Sequence, residues 1–424
     1  MKTEVIRENI SEAAELIRRG ALVAVPTETV YGLAGSGFDE AAVERIYEVK
    51  GRPEVKPLSL MVPGPEAFEK CCTEVPEAAR TLAARFWPGP LTIVLPARPE
   101  IPRVVLAGGS TVGLRCPDHP LTLELLRQCG LPLAAPSANP SGEPSPKTAQ
   151  QVLSYFEGKI EAVIDGGECG IGRESTIIDL TRAPYRILRQ GALPERDIAA
   201  ALGERMRIIG LTGGTGAGKT TALDSLRDMG ALCLDCDEVY HELTETSAPL
   251  REALERRFGS VYGPDGKLER KKLGEIVFSD PAALSELNAI THSFVNEEIK
   301  RRLRSHAMQG GTLPAIDAIA LFESGADRLC TETFGVIAPR ELREARIMAR
   351  EGISREYARL RIEAQQPDEY YVERCTGILE NSGTKAEFAP KCTAAFTEVI
   401  NDGRKEGLPQ RTLLSEEERL PQHG

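Results

Sequence analysis

Between residues 213 and 220 the chain reads Gly213-Gly214-Thr215-Gly216-Ala217-Gly218-Lys219-Thr220, with Thr221 directly behind. Glycines at these spacings let successive backbone N–H groups turn into one concavity, which accepts phosphate oxygens. Lys219 is placed to reach the outer phosphates of a nucleoside triphosphate, and the Thr220 hydroxyl to hold Mg²⁺. The apolar run Ile208-Ile209-Gly210-Leu211 precedes the loop, and a helix-like segment ending near Met229-Gly230 follows it. That strand–loop–helix setting is the one such a loop needs, and it points to a nucleotide kinase or a nucleoside triphosphatase using ATP and Mg²⁺.

Downstream, Leu234-Asp235-Cys236-Asp237 closes the next apolar run. Ligands of open α/β sheets sit at the carboxyl ends of strands. A carboxylate there can take the proton of an attacking hydroxyl or help hold Mg²⁺, with Asp237 the preferred base and Asp235 the second choice. A helix cap is the alternative role for Asp237. Arg343, Arg346 and Arg350 share one helical face. They follow a run ending in Ala338-Pro339, where guanidinium groups can close over a transferring phosphoryl, Arg346 foremost.

The first 200 residues carry different chemistry. Pro26-Thr27-Glu28-Thr29-Val30-Tyr31-Gly32-Leu33 crowds polar groups into a turn after an apolar run. Lys50, Arg52 and Lys56 place three cations within seven residues, offset only by Glu54. Pro53 and Pro57 disfavour a helix, so the charges are expected on a stiff extended loop suited to phosphate, carboxylate or bicarbonate. Ser137 and Asn139 lie in a loop rich in hydroxyl and amide groups, fit for phosphates, ribose or an amino acid. Arg115 and Arg189 end strands, and Ser175 opens one.

These groups need scaffolds. The second half alternates apolar runs (208–211, 231–234, 315–321, 334–338, 376–379) with amphipathic stretches, the pattern of a doubly wound parallel sheet. The first half offers strands at 22–25, 58–62, 91–95, 112–114, 133–135, 162–164 and 176–180. Helices are expected at 11–19, 40–49, 77–86 and 121–129. It reads as a second α/β domain with a twisted sheet. The expected division is 1–204, 205–403 and a polar tail, 404–424, with Met206 where a free-standing kinase would begin.

Composition fits soluble protein: 41% hydrophobic and 27% charged residues in 424. No apolar run approaches a membrane span and the polar start is no signal peptide, so a cytoplasmic location is expected. Net charge is −11. Neither half has the basic excess that bulk nucleic-acid binding requires. Cys233 and Cys236 have metal-like spacing, but no second pair completes a zinc site.

The second half resembles dephospho-coenzyme A kinase. Besides the phosphate loop and Asp235-Cys236-Asp237, the matching text is Leu268-Glu269-Arg270, Ile276-Val277-Phe278, Leu287-Asn288 and Ile290-Thr291-His292. It continues with Leu321-Phe322-Glu323, Ala345-Arg346-Ile347, Arg361-Ile362 with Gln365, and Asn381 with Gly383. The resemblance implies transfer of the ATP γ-phosphate to the ribose 3′-hydroxyl of dephospho-coenzyme A. Ser293 stands where the family has proline, and Ile319-Ala320 replaces a Pro-Leu pair.

The first half is similar to the YrdC-type threonylcarbamoyl-AMP synthases. Further matching text is Phe86-Trp87-Pro88-Gly89-Pro90-Leu91-Thr92, Arg115-Cys116-Pro117 and Ile164-Asp165-Gly166-Gly167. The resemblance implies formation of threonylcarbamoyl-adenylate and pyrophosphate from L-threonine, bicarbonate and ATP, for tRNA modification alongside partner proteins. It places Thr27, Thr29, Tyr31, Lys50, Arg52, Lys56 and Arg115 with the substrates, and Ser137, Asn139, Ser175 and Arg189 around the nucleotide. Two rival readings differ in kind. One is an RNA-gripping module fused to the kinase; the other is a kinase for another nucleoside acceptor.

Overall fold

A computed structural model describes residues 2–53 and 56–402; Glu54 and the tail expected at 404–424 lie outside the described residues. The chain divides between Leu202 and Gly203 into two compact units.

The first unit is built on a ten-stranded mixed sheet. Its strands are β1 (Glu4–Ile6), β2 (Val23–Val25), β3 (Gly32–Ser36), β4 (Ser59–Met61), β5 (Leu91–Pro96), β6 (Thr111–Arg115), β7 (Leu133–Ala134), β8 (Ala162–Ile164), β9 (Thr176–Asp179) and β10 (Arg186–Arg189). They lie in the order β1-β8-β2-β3-β7-β4-β6-β5-β9-β10. Ile17, Val23, Val25, Ala34, Leu125, Leu133 and Ile164 form one core against it. Each of the valine, leucine and isoleucine side chains among them contributes about 1.5–3 kcal/mol of transfer free energy on burial.

Strands β1 and β3 were not expected. Gly32-Leu33-Ala34-Gly35-Ser36 has little intrinsic strand preference. It is held by pairing on both sides, with β2 and β7. A Cβ on Gly35 would come within 2.9 Å of Leu22 Cδ2, so the bare backbone is a packing requirement. One expectation needs correction: Lys50 is not on the extended loop but ends the helix Glu40–Lys50. Asp39 caps that helix by accepting from Ala41 N and Ala42 N, and Gly51, at φ 59, terminates it in the left-handed region.

In the second unit β11 (Ile209–Thr212), β12 (Leu232–Asp235), β13 (Pro314–Asp317), β14 (Glu332–Ile337) and β15 (Gly377–Glu380) form an all-parallel sheet, as the alternating pattern suggested. The order is β12-β13-β11-β14-β15. β12 and β13 lie on one side of β11 and β14 and β15 on the other, so the crevice for ligands opens at the carboxyl end of β11, where residues 213–220 follow. The expected strand over 315–321 is shorter than the apolar run. The backbone leaves the sheet after Asp317, and Leu321 fills the core from a turn. Between β12 and β13 lies a helical insert whose separate core includes Leu250, Leu254, Phe258, Leu273 and Val277. Among the described residues no helix is long and apolar enough to cross a membrane.

Candidate active sites

The first unit gathers its polar residues at the ends of β2, β6, β7, β9 and β10. The turn after β2 is organised by Thr27, which is fully buried. Its hydroxyl donates to Val30 O at 2.6 Å and accepts from the backbone N–H of Thr29 and Val30. This local bonding turns Thr29 and Glu28 toward Arg115. Arg115, at the end of β6, donates through NH2 to Glu28 Oε1 at 2.7 Å and to Thr29 Oγ1 at 2.8 Å. Its buried Nε has no hydrogen-bond partner among the described residues. A buried guanidinium with an unused donor is suited to receiving an anion.

A cavity of about 130 Å³ opens here, walled by Arg52, Arg115, Ser137, Ser175 and Arg189 together with Thr92 and Glu174. Arg189 donates through Nε and NH2 to Ser175 O, and through NH2 to Ser175 Oγ at 3.1 Å. Burial weakens its hold on its proton; Glu174 opposes that effect and the charges of Arg115 and Arg52 add to it. Three guanidinium groups thus feel one another across a single cavity. Glu174 received no role from the sequence. The Ser145 hydroxyl, 2.6 Å from its Oε1, holds its carboxyl below the ordinary range against the effect of burial.

The remaining expected residues sit behind or beside this wall. Lys50 is buried and donates from Nζ to Ser137 O and Asn139 O, so it fixes the loop that presents Ser137. Burial, then the neighbouring Arg52, pushes its ammonium down to about 7. Asn139 bonds Pro140 O and Glu143 O through Nδ2, while its buried Oδ1 has no partner among the described residues. The Tyr31 hydroxyl donates to Gly167 O at 2.9 Å and accepts from Gly166 N, tying down the loop after β8. Burial pushes it up to about 12. Lys56 is exposed and contributes no part of the cavity wall.

In the second unit the loop after β11 has Gly213, Gly216 and Gly218 at φ 135, 80 and 112. Only glycine enters that region without strain. A Cβ at Gly213 would collide with Val336 O, and one at Gly218 with Asn381 Nδ2. Lys219 opens the helix Lys219–Asp228, with Thr220 and Thr221 in its first turn. Lys219 Nζ donates to Gly213 O at 3.3 Å and lies 4.0 Å from Asp317 Oδ1.

Asp317 was missed. It ends β13 in register with Asp235 and next to Leu211, at the carboxyl edge of the sheet. Its Oδ1 is buried without a hydrogen-bond partner among the described residues. Burial raises its pKa to about 6, with Lys219 opposing and Asp235 and Asp237 reinforcing. The available signal was one carboxylate interrupting the apolar run Ala315–Leu321. The cap belongs to Asp235, whose Oδ1 accepts from Asp237 N at 2.8 Å and Glu238 N at 3.2 Å. Asp237 is exposed in the first turn of the helix Cys236–Thr246.

The arginine stripe separates into two groups. Arg343, buried, donates to Thr215 O at 3.1 Å. Arg346 donates to Gly216 O and Ala217 O, and through NH2 to Asn381 Oδ1 and Gly383 O. Both grip the outer, carbonyl side of the phosphate loop. Arg350 turns away to Glu351. Gln365 accepts from Thr215 N at 2.8 Å and donates to Thr215 Oγ1 at 2.6 Å. It and Asn381 had been part of the matching text without an assigned task.

A mixed-sheet unit with an arginine-lined cavity and a parallel-sheet unit with a phosphate loop together define a two-part nucleotide-using protein. The sequence family described as telomere recombination (Sua5/YciO/YrdC) matches residues 15–191, and that described as dephospho-CoA kinase matches residues 207–387. The first part is 52% identical over 204 residues to a threonylcarbamoyl-AMP synthase of Pyrococcus abyssi, covering 47% of this chain and 60% of that protein. It is 38% identical to a putative threonylcarbamoyl-AMP synthase of Mycobacterium tuberculosis, covering 46% of this chain and 89% of that protein. The second part is 40% identical to a dephospho-CoA kinase of Symbiobacterium thermophilum, covering 45% of this chain and 80% of that protein. The chain therefore belongs to both families, one in each half.

Proposed function

We propose that the chain is a bifunctional transferase with a separate ATP site in each unit. The first unit forms threonylcarbamoyl-AMP and the second converts dephospho-coenzyme A to coenzyme A. The observation that carries this reading is that each unit has its own cation-lined phosphate cleft: Arg52, Arg115 and Arg189 in one, residues 213–220 with Lys219 in the other.

In the first unit the threonine amine joins bicarbonate, with loss of water, to give a carbamate. A carbamate oxygen attacks the α-phosphorus of ATP and pyrophosphate leaves. Negative charge accumulates throughout, and the three arginines offset it most where charge moves onto the leaving group. Arg52 and Arg115 contact threonine, bicarbonate or phosphate; Ser137, Ser175 and Arg189 line the nucleotide. Lys50, Tyr31, Thr27, Thr29 and Asn139 hold the loops that present them, and Lys56, exposed and outside the wall, has no part in this. The adenylate then serves tRNA modification with partner proteins.

In the second unit backbone N–H groups of residues 213–220 hold the ATP phosphates and Lys219 spans the outer pair. Asp237, accessible and adjacent to Asp317, accepts the proton as the acceptor's 3′-oxygen attacks the γ-phosphorus and ADP departs. Asp235 orients Asp237 through the cap, and Arg346 keeps the loop carbonyls turned outward. The buried Oδ1 of Asp317, which has no hydrogen-bond partner among the described residues, and the Thr220 hydroxyl are hard oxygen donors that fit Mg²⁺. Bound there, the ion would neutralise charge on the outer phosphates.

The test is one assay on the intact chain with ATP and each acceptor in turn. Threonine- and bicarbonate-dependent pyrophosphate release and 3′-phosphorylation of dephospho-coenzyme A are both expected. Absence of either in folded protein removes that activity.

A further inference from the structure

The helical insert carries an arginine–histidine pair that the phosphate-transfer machinery does not use. Arg270, the first residue of the helix Arg270–Phe278, approaches His241 with NH2 2.7 Å from Nδ1. Arginine has no acceptor, so Nδ1 must accept and the ring proton lies on Nε2. The pair thus presents the remaining guanidinium N–H groups and an imidazole N–H. Both residues are exposed, and no carboxylate pairs with Arg270 among the described residues. Four other arginines of the insert are paired, Arg251 with Glu255, Arg257 with Glu286, Arg301 with Glu298 and Arg302 with Glu242; what sets Arg270 apart from the rest is its contact with His241. Even the neighbouring Glu269 is turned to Lys272. A guanidinium held by a neutral ring, with its charge unspent, is set for an anionic ligand.

Its position selects the ligand. His241 follows Asp237 by four residues on the same helix, so the two share a face about one turn (~5.4 Å) apart. Asp237 lies close enough to Asp317 to raise its pKa, and Asp317 faces Lys219. An acceptor whose 3′-hydroxyl is at Asp237 has its ribose ring between that oxygen and its 5′-diphosphate, a comparable span.

We propose that Arg270 and His241 bind the 5′-diphosphate of the acceptor and so select dephospho-coenzyme A over an uncharged nucleoside. This rests on the kinase reading above. The experiment compares dephospho-coenzyme A with adenosine as acceptors for the intact chain, for Arg270→Ala and for Arg270→Lys. In Arg270→Ala the KM for dephospho-coenzyme A should rise ~10-fold or more while kcat changes less than about twofold. The ratio of kcat/KM between the two acceptors should fall by a similar factor. Arg270→Lys should recover part of it, and His241→Ala should move the ratio in the same direction by less. An unchanged ATP KM marks the variants as folded. Equal losses toward both acceptors, or an unaltered ratio, would overturn the anchor. No phosphorylation of dephospho-coenzyme A by the unmodified chain would instead overturn the kinase reading, and the anchor with it.

Discussion

On the proposed reading, the two clefts are built to hold phosphate by opposite means. In the second unit the expected donors are main-chain N–H groups, and the shape that aims them is set by glycines at φ 135, 80 and 112. Side chains such as Arg343 and Arg346 act on the loop's far side. In the first unit the donors are side chains themselves, Arg52, Arg115 and Arg189, collected from positions far apart in sequence. Main-chain carbonyls and hydroxyls steady them: Arg189 on Ser175, and Arg52 on Lys56 O and Pro57 O. One design stores its geometry in backbone dihedrals, the other in tertiary packing. A substitution should therefore fail differently in each.

The sharpest way to break this contrast is a reciprocal pair. Lys219→Ala should lower phosphorylation of dephospho-coenzyme A by ~10²–10³-fold or more and leave threonine-dependent pyrophosphate release unchanged. Arg189→Ala should do the reverse, by ~10²-fold. Parallel assays check both, and joint loss in either folded variant would end the idea of two independent clefts. Next in size, Gly218→Ala forces a Cβ onto Asn381 Nδ2 at a φ of 112. It should raise the ATP KM of the kinase reaction and cost about 1–3 kcal/mol in the second unit. Urea unfolding with ATP titration reads both. A fully active Gly218→Ala would show that backbone shape is not what matters there.

The smallest effect concerns Asp317, whose carboxyl is raised from 3.8 to about 6 in the folded chain. Between those values the unfolded chain is ionised while the folded one keeps its proton, so this group makes stability fall as pH rises. Asp317→Asn removes the dependence. The variant should gain on the parent across that window, by about 1–3 kcal/mol above pH 6, while losing kinase activity. Unfolding curves from pH 4.5 to 8 test it; a difference independent of pH would deny Asp317 its buried, costly charge.

The same contrast explains what the sequence disclosed. Residues 213–220 form one continuous segment, so a local pattern carried the chemistry and the parallel sheet around it. The order and pairing of the first unit's ten strands depended on long-range contacts. The glycine-rich β3 shows no strand preference of its own, and two neighbouring strands impose its conformation. Lys50 and Arg52 read alike in a cationic cluster, yet one is a buried strut and the other part of the wall. Asp317 was hidden for the converse reason: its neighbours are so apolar that the segment reads as plain core.

The grip of Arg346 has a mechanical corollary. One side chain is fastened at once to two carbonyls of the phosphate loop, to Asn381 and to Gly383. Swinging the helix Arg340–Glu351 aside to admit nucleotide would mean rupturing all four attachments together. That helix and the phosphate loop are thereby fastened into one piece.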